Sequence, residues 1–197
     1  GKPVVALDRA SERLDELGAQ DGVRALAADL ASRAAVQEVF GRIDEACDAL
    51  VGLAGGFAPG ALVDLDEETL DGLWRSNFGS ALWTAQAAVP LFTGGGAIVN
   101  VGSKTAVQGP APVAHATSKA AVLRLTQLLA DELRPLRIRV NAVLPSVIDT
   151  PANRSWMSAD LAARAVAPAA IAKVIAFLCS ADAAPISGAA IPVYGDA

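Results

Sequence analysis

The chain is expected to fold as an α/β protein, with a doubly wound, mostly parallel sheet in a three-layer α/β/α arrangement. Three observations lead there. Apolar runs of strand length alternate with segments of helical period along all 197 residues. Alternation of that kind builds a parallel sheet through right-handed crossovers. The residues that follow the apolar runs are Asp8, Asp29, Gly55 with Gly56, Ser103 and Pro145. In such a sheet these positions lie at the carboxyl ends of the strands, where ligands bind.

The elements follow in order. Residues 4–7 form a strand, and Ser11 is placed to cap a polar helix over residues 11–17. A second strand covers 23–28. A helix over 32–46 carries Ala35, Val36, Val39, Phe40 and Ile43 on one stripe. The third strand, 48–54, runs into Gly55-Gly56. A long helix over 66–89 has Leu70, Leu73, Trp74, Phe78 and Leu82 as its apolar face, and Pro90 and the glycines Gly94, Gly95 and Gly96 end it. Next come a strand over 97–101, a Gly- and Pro-rich loop, and a helix over 113–133 with His115 and Lys119 in its first turns. A near-continuous apolar strand covers 138–144, and an irregular flap 145–160. A last helix, 168–180, and a last strand, 189–193, follow. No repeat, low-complexity tract or linker appears, so residues 1–197 read as a single domain.

Composition narrows the function. The chain is 53% apolar, carries a formal charge of −5 and has no Lys/Arg cluster, which argues against a nucleic-acid face. Charges, Gly or Pro interrupt every hydrophobic stretch before eighteen residues, and no signal peptide is visible, so a soluble cytoplasmic protein without membrane contact is expected. Cys47 and Cys179 lie far apart and read as two reduced thiols rather than a disulfide. One histidine without a Cys/Asp cluster offers no metal site.

His115, the only histidine, stands four residues before Lys119, a spacing that puts imidazole and ammonium on one helix face. Ser103 ends the strand next to them, so all three side chains can converge as an acid/base site. An imidazole titrates near neutrality, and the neighbouring ammonium disfavours its charged form. The plainer reading is a structural histidine beside a solvated lysine. Asp8 is placed to accept from ribose hydroxyls, or to sit solvated in a loop; Arg9 beside it would soften discrimination against a 2′-phosphate. Asp29 and Leu30 lie where an adenine would pass, although an acid there also suits the following helix dipole. Ala54 and Gly55 leave room for a close ligand, or make an ordinary turn. Asn77 is a poor helix former in mid-helix, able to kink the helix or hold a water, or simply half-exposed.

Taken together and in this order, the segments resemble the short-chain dehydrogenase/reductase family over nearly the whole chain. Leu50-Val51-Gly52-Leu53-Ala54-Gly55 is similar to the family's Asn-Asn-Ala-Gly strand end, with both asparagines replaced. Asn77 matches its helix asparagine, Ile98-Val99-Asn100-Val101-Gly102-Ser103 its serine strand, and Ser118-Lys119-Ala120-Ala121 its lysine segment. Arg139-Val140-Asn141-Ala142-Val143-Leu144-Pro145 resembles the strand before Pro-Gly, with Ser146 for the glycine. A narrower similarity, in Ala54-Gly55-Gly56-Phe57 and the run from Leu144 to Arg154, is to the dihydropteridine reductase branch.

The resemblance implies a Rossmann-type oxidoreductase that moves a hydride between NAD(P)(H) and a small carbonyl, hydroxyl or quinonoid, pterin-like substrate. NAD(H) is favoured over NADP(H) through Asp8. Lys119 would bind the nicotinamide ribose, Ser103 hold the substrate oxygen and Asn77 support a water chain to Lys119. Asp8, Asp29, Leu30, Ala54 and Gly55 would line the adenosine side, and Pro145, Ile148 and Thr150 the nicotinamide. Trp156 and Met157 would cover the substrate, and a homodimer or homotetramer is implied.

Three departures qualify it. The family's Tyr-x-x-x-Lys is His115-x-x-x-Lys119 here, so His115 is either the proton donor or only the occupant of that place. The step from Ser103 to His115 is one residue shorter than the family's pattern. The first strand and its Gly-rich loop are absent, so an N-terminal βα unit is expected ahead of these residues. With those features lost together, the alternative is a catalytically silent relative that serves as a binding or assembly subunit.

Overall fold

A computed structural model describes residues 2–196. The first strand, β1 (Val4–Asp8), pairs in parallel with β2 (Val23–Ala27), and α1 (Glu12–Gly18) connects them. Ser11 caps α1 as its sequence suggests, its hydroxyl accepting from Leu14 N at 3.3 Å. The helix α2 (Arg33–Phe40) is capped by Ser32 in the same way and is shorter than the expected 32–46, because the helix closes at Gly41 and turns take over. β3 (Ala49–Gly52) then opens a second sheet.

The long helix expected over 66–89 runs without a gap from Glu67 to Ala88 but changes its hydrogen-bond register midway. It is divided into α3 (Glu67–Leu73), a π-helical segment (Trp74–Gly79) and α4 (Ser80–Ala88). After β4 (Gly96–Val101) comes α5 (Val113–Glu132), which leads into β5 (Ile138–Pro145). The region expected as an irregular flap contains two short helices, α6 (Pro151–Arg154) and α7 (Ala159–Arg164), each with a hydroxyl cap, from Thr150 and Ser158. Finally, α8 (Pro168–Cys179) precedes β6 (Ala190–Val193).

The second sheet has the order β3-β4-β5-β6 with every pair parallel. Its central strands are buried on both faces, as parallel strands between helical layers are. Ile98 and Val140 pack toward α2, α4 and α5, whereas Val99 and Val143 pack toward α8. That split gives three layers. The pair β1–β2 shares the first of these cores through Leu26, Val5 and Leu7, but no ladder among the described residues joins it to β3. Lys2, ahead of β1, reaches Asp48, ahead of β3, at 2.7 Å. Both cysteines are free.

No helix among the described residues is long and apolar enough to cross a membrane. No group of three or more His, Cys, Asp or Glu among them is placed to hold a metal ion.

Candidate active site

The π-helical segment positions the first functional side chain. A π turn inserts one residue into the helical register, and such turns concentrate at functional sites. Here it carries Asn77, which is fully buried, away from the regular helix face and onto the loop after β3. Asn77 Oδ1 accepts from Gly56 N at 2.9 Å, and its Nδ2 donates to Gly56 O at 3.2 Å and to Ser118 Oγ at 2.9 Å. Ser118 in turn donates to His115 O at 2.9 Å. The amide of Asn77 is therefore fully employed by protein groups and ties three segments together.

The loop can come this close because residue 55 has no side chain. A Cβ at Gly55 would lie 2.6 Å from Asn77 Oδ1 and 3.0 Å from Lys119 Nζ.

His115 and Lys119 emerge from the first two turns of α5 onto this network. His115 Nδ1 lies 3.2 Å from Gly56 O, and the edge of its ring meets Phe57 with centroids 5.0 Å apart. Burial lowers the His115 pKa from its ordinary value, the Gly56 carbonyl opposes that shift, and the charge of Lys119 adds to it. Lys119 is buried, with Nζ donating to Val101 O at 2.8 Å. No carboxylate among the described residues pairs with it. Burial alone pushes its ammonium down to about 8. An ammonium has three donors, so this one has capacity for further acceptors such as hydroxyls.

Ser103 lies where β4 ends, half-buried. It shares a hydrogen bond with Thr105 Oγ1 at 2.8 Å and accepts from Thr105 N at 3.2 Å. The expected convergence of three side chains is thus only partly met. No hydrogen bond joins Ser103 to His115 or Lys119 among the described residues.

The remaining candidates divide. Pro145 is the buried end of β5, Ile148 makes a lone parallel bridge to Val166, and Thr150 caps α6 by accepting from Asn153 N at 3.2 Å. Asp8, the last residue of β1, is exposed and accepts from Arg9 N at 2.7 Å. Asp29 is exposed too and accepts from Ala31 N at 3.0 Å in a local turn ahead of α2. Leu30 packs against the core beside α2. Ala54 and Gly55 lie in the loop that follows β3.

Sequence reasoning missed Ser118 as a partner of Asn77, and the Gly56 peptide as the group that unites Asn77 and His115. The π turn that aims Asn77 at both left no clear mark in the hydrophobic period.

A nicotinamide dinucleotide fits one half of this arrangement. Lys119 has donors to spare beside the carboxyl ends of β3, β4 and β5, and the exposed carboxylate of Asp8 stands at the end of β1. A Gly-x-x-x-Gly-x-Gly loop for the pyrophosphate is not in the sequence.

Comparison with known proteins adds the following. Residues 1–195 match the family model described as enoyl-(acyl carrier protein) reductase. The 4-formylbenzenesulfonate dehydrogenase of Comamonas testosteroni is 37% identical over 66% of this chain and 58% of its own length. The 3-oxoacyl-[acyl-carrier-protein] reductase FabG of Thermotoga maritima is 32% identical over 99% of this chain and 87% of its own. Among solved structures, a short-chain dehydrogenase/reductase from Serratia marcescens superposes with a TM-score of 0.90 at 29% identity, covering 100% of this chain and 87% of that one.

Proposed function

The chain belongs to the short-chain dehydrogenase/reductase family, and on that premise we propose that it is an oxidoreductase acting on a small carbonyl or hydroxyl substrate at the edge formed by Asn77, Ser103, His115 and Lys119. The observation that carries the reading is Lys119. A buried ammonium without a carboxylate partner is costly to fold around, and it is retained where a ligand uses it.

When bound, a nicotinamide dinucleotide supplies or accepts the hydride. Lys119 donates to the ribose hydroxyls, with Val101 O holding its third hydrogen in place. Ser103 orients the substrate oxygen: with the Thr105 hydroxyl donating to Ser103 Oγ, the proton of Ser103 is available to that oxygen. Asn77 fixes the loop on which the ring of His115 rests, and His115 handles the proton.

NAD(H) over NADP(H) is the expected preference, because the Asp8 carboxylate disfavours a 2′-phosphate. A quinonoid, pterin-like acceptor is the narrowest substrate reading and rests on the residues from Leu144 to Arg154. On the same reading a further parallel strand with its Gly-rich turn belongs between β1 and β3, each of which has one edge without a ladder. Trp74 and Leu128, large and partly exposed on the π segment and α5, support association into a homodimer or homotetramer.

Turnover tests this directly. Cofactor reduction or oxidation is followed by absorbance against a panel of alcohols, aldehydes, ketones and quinonoid pterins. Activity is expected with at least one class, falling on the order of 10²-fold or more in Lys119→Ala and in His115→Ala. Turnover unchanged by both substitutions would remove the chemistry from this site. Absence of turnover and of cofactor binding would leave the silent, assembly-type relative.

A further inference from the structure

Two side chains that the proposed chemistry leaves unused meet beside Ser103. Lys104 Nζ lies 5.2 Å from the centre of the Tyr194 ring. Tyr194 is the only tyrosine of the chain and directly follows β6. A cation over a ring face is held there by the ring's quadrupole.

Tyr194 is pinned from both sides. The last pair of the β5–β6 ladder is Pro145 with Val193, and a side chain makes the next step, Ser146 Oγ donating to Tyr194 O at 2.6 Å. After it, Gly195 turns the chain with a φ of 59°, and a Cβ there would lie 2.9 Å from Val166 Cγ2. Ser146 stands where the family resemblance has a glycine. Its hydroxyl fixes the peptide that carries the ring.

The other end of the contact bears on the site. Lys104 opens the 3₁₀ turn Lys104–Ala106, which Ser103 caps. Ser103 Oγ accepts from Thr105 N at 3.2 Å and lies 2.8 Å from Thr105 Oγ1, and Ser103 O accepts from Ala106 N at 3.0 Å. Every hydrogen bond to the Ser103 hydroxyl among the described residues therefore comes from this turn. A three-residue turn is held by hydrogen bonds of poorer geometry than those of an α-helix, and its angle to the sheet needs an outside hold. Lys104 supplies one by spanning β5 to reach the end of β6.

We infer that Tyr194 is a positioning residue, which through Lys104 sets the turn that aims the Ser103 hydroxyl at the substrate oxygen. This rests on the oxidoreductase reading above and extends it to the pair that holds one of its residues. Ring and ammonium act as a unit, so losing either releases the turn and losing both does no more. Lys104 acts on the turn and not on the substrate.

Kinetics on the natural gene product test this, with the member of the substrate panel turned over fastest. In Tyr194→Leu and in Lys104→Met, kcat is expected to fall at least about tenfold, because a misaimed group loses its orientation. The double variant should lose no more, and Tyr194→Phe and Lys104→Arg, which keep a ring and a cation, should restore most of the rate. NADH affinity should not change. A readout without turnover accompanies the kinetics. The single tyrosine ring shifts the Lys104 ε-methylene protons upfield in the proton spectrum, and Tyr194→Leu is expected to remove that shift and to move the Thr105 amide resonance.

A Thr105 amide unmoved by Tyr194→Leu, or wild-type kcat in both single variants, would overturn the inference and leave the oxidoreductase reading intact. A raised KM at unchanged kcat in Lys104→Met alone would do the same, since it marks a direct substrate contact. An equal loss of NADH affinity would also overturn it, as general loosening of the sheet edge. Wild-type protein without turnover, in which Tyr194→Leu still moves Thr105, would overturn the oxidoreductase reading and with it the role assigned to Tyr194.

Discussion

In β4 every residue from Ala97 to Asn100 is buried, and in β5 every residue from Val140 to Pro145. In β1, by contrast, Val4 is 52% exposed, and in the loop leaving β3 Leu53 is 68% exposed. All are apolar parallel strands or their immediate continuations, so composition does not separate them. The difference is what stands beside them. β4 and β5 have a hydrogen-bonded strand on each side and a helical layer on each face, whereas β1 and β3 each have one edge without a ladder among the described residues. The chemistry is divided along the same line. Asn77, Ser103, His115 and Lys119 stand on elements packed around β4 and β5, and the less enclosed half adds the exposed carboxylates Asp8 and Asp29 and the Gly56 peptide on which Asn77 and His115 rest.

Hydrogen exchange would show the contrast at its largest. Amides of β4 and β5 are expected to exchange only through global opening, and those of β1 and β3 at least about 10³-fold faster. Equal protection in both halves would break the comparison. Core truncation comes next. Ile98→Ala, at a fully buried position between β3 and β5 neighbours, is expected to cost about 3 kcal/mol in a denaturant melt. Val4→Ala on the exposed edge should cost less than about 0.5 kcal/mol.

Lys119 sharpens the comparison through pH. Its folded-state ammonium titrates at about 8, whereas an unfolded lysine titrates at about 10.4. Between those values the unfolded chain holds a proton that the folded one has released, so stability rises with pH across the window, by on the order of 3 kcal/mol. Lys119→Met should abolish that rise, and a parallel pH dependence in wild type and variant would place the lysine in water. Gly55→Ala is expected to cost about 1–2 kcal/mol, since its Cβ would meet an Asn77 oxygen that is already committed. On the acid side the effect is smaller. The lowered pKa of His115 means that the unfolded chain takes up its proton first, so stability falls as pH drops below about 6.5, and His115→Gln should remove that part of the fall.

Strand positions were legible because a buried parallel strand is a short apolar run, and residues 97–101 and 138–144 read as such within one residue of where β4 and β5 lie. The cap at Ser11 was legible because it is local. The π turn within the helix over 66–89 was not. A π turn inserts one residue without interrupting the apolar stripe, and Leu73, Trp74 and Phe78 satisfy a continuous helix equally well. Asn77 could be singled out as an odd helix residue, but its partners Gly56 and Ser118 lie 21 and 41 residues away and are chosen by tertiary contact. Ser103 shows the reverse. Position suggested a shared site, and the local bond that its hydroxyl shares with Thr105, two residues on, was not legible. Short helical turns within residues 145–160 escaped notice because four- and six-residue helices are too brief to show a period.

The account stands on Lys119 being retained for a nicotinamide ribose. Energy transfer from the three tryptophans to bound NADH, titrated with the natural gene product and its Lys119→Met variant, tests that most directly. Micromolar binding by the wild type, weakened at least about tenfold by the substitution, is the expected result. No transfer at millimolar NADH or NADPH, or equal affinity in both proteins, would contradict it.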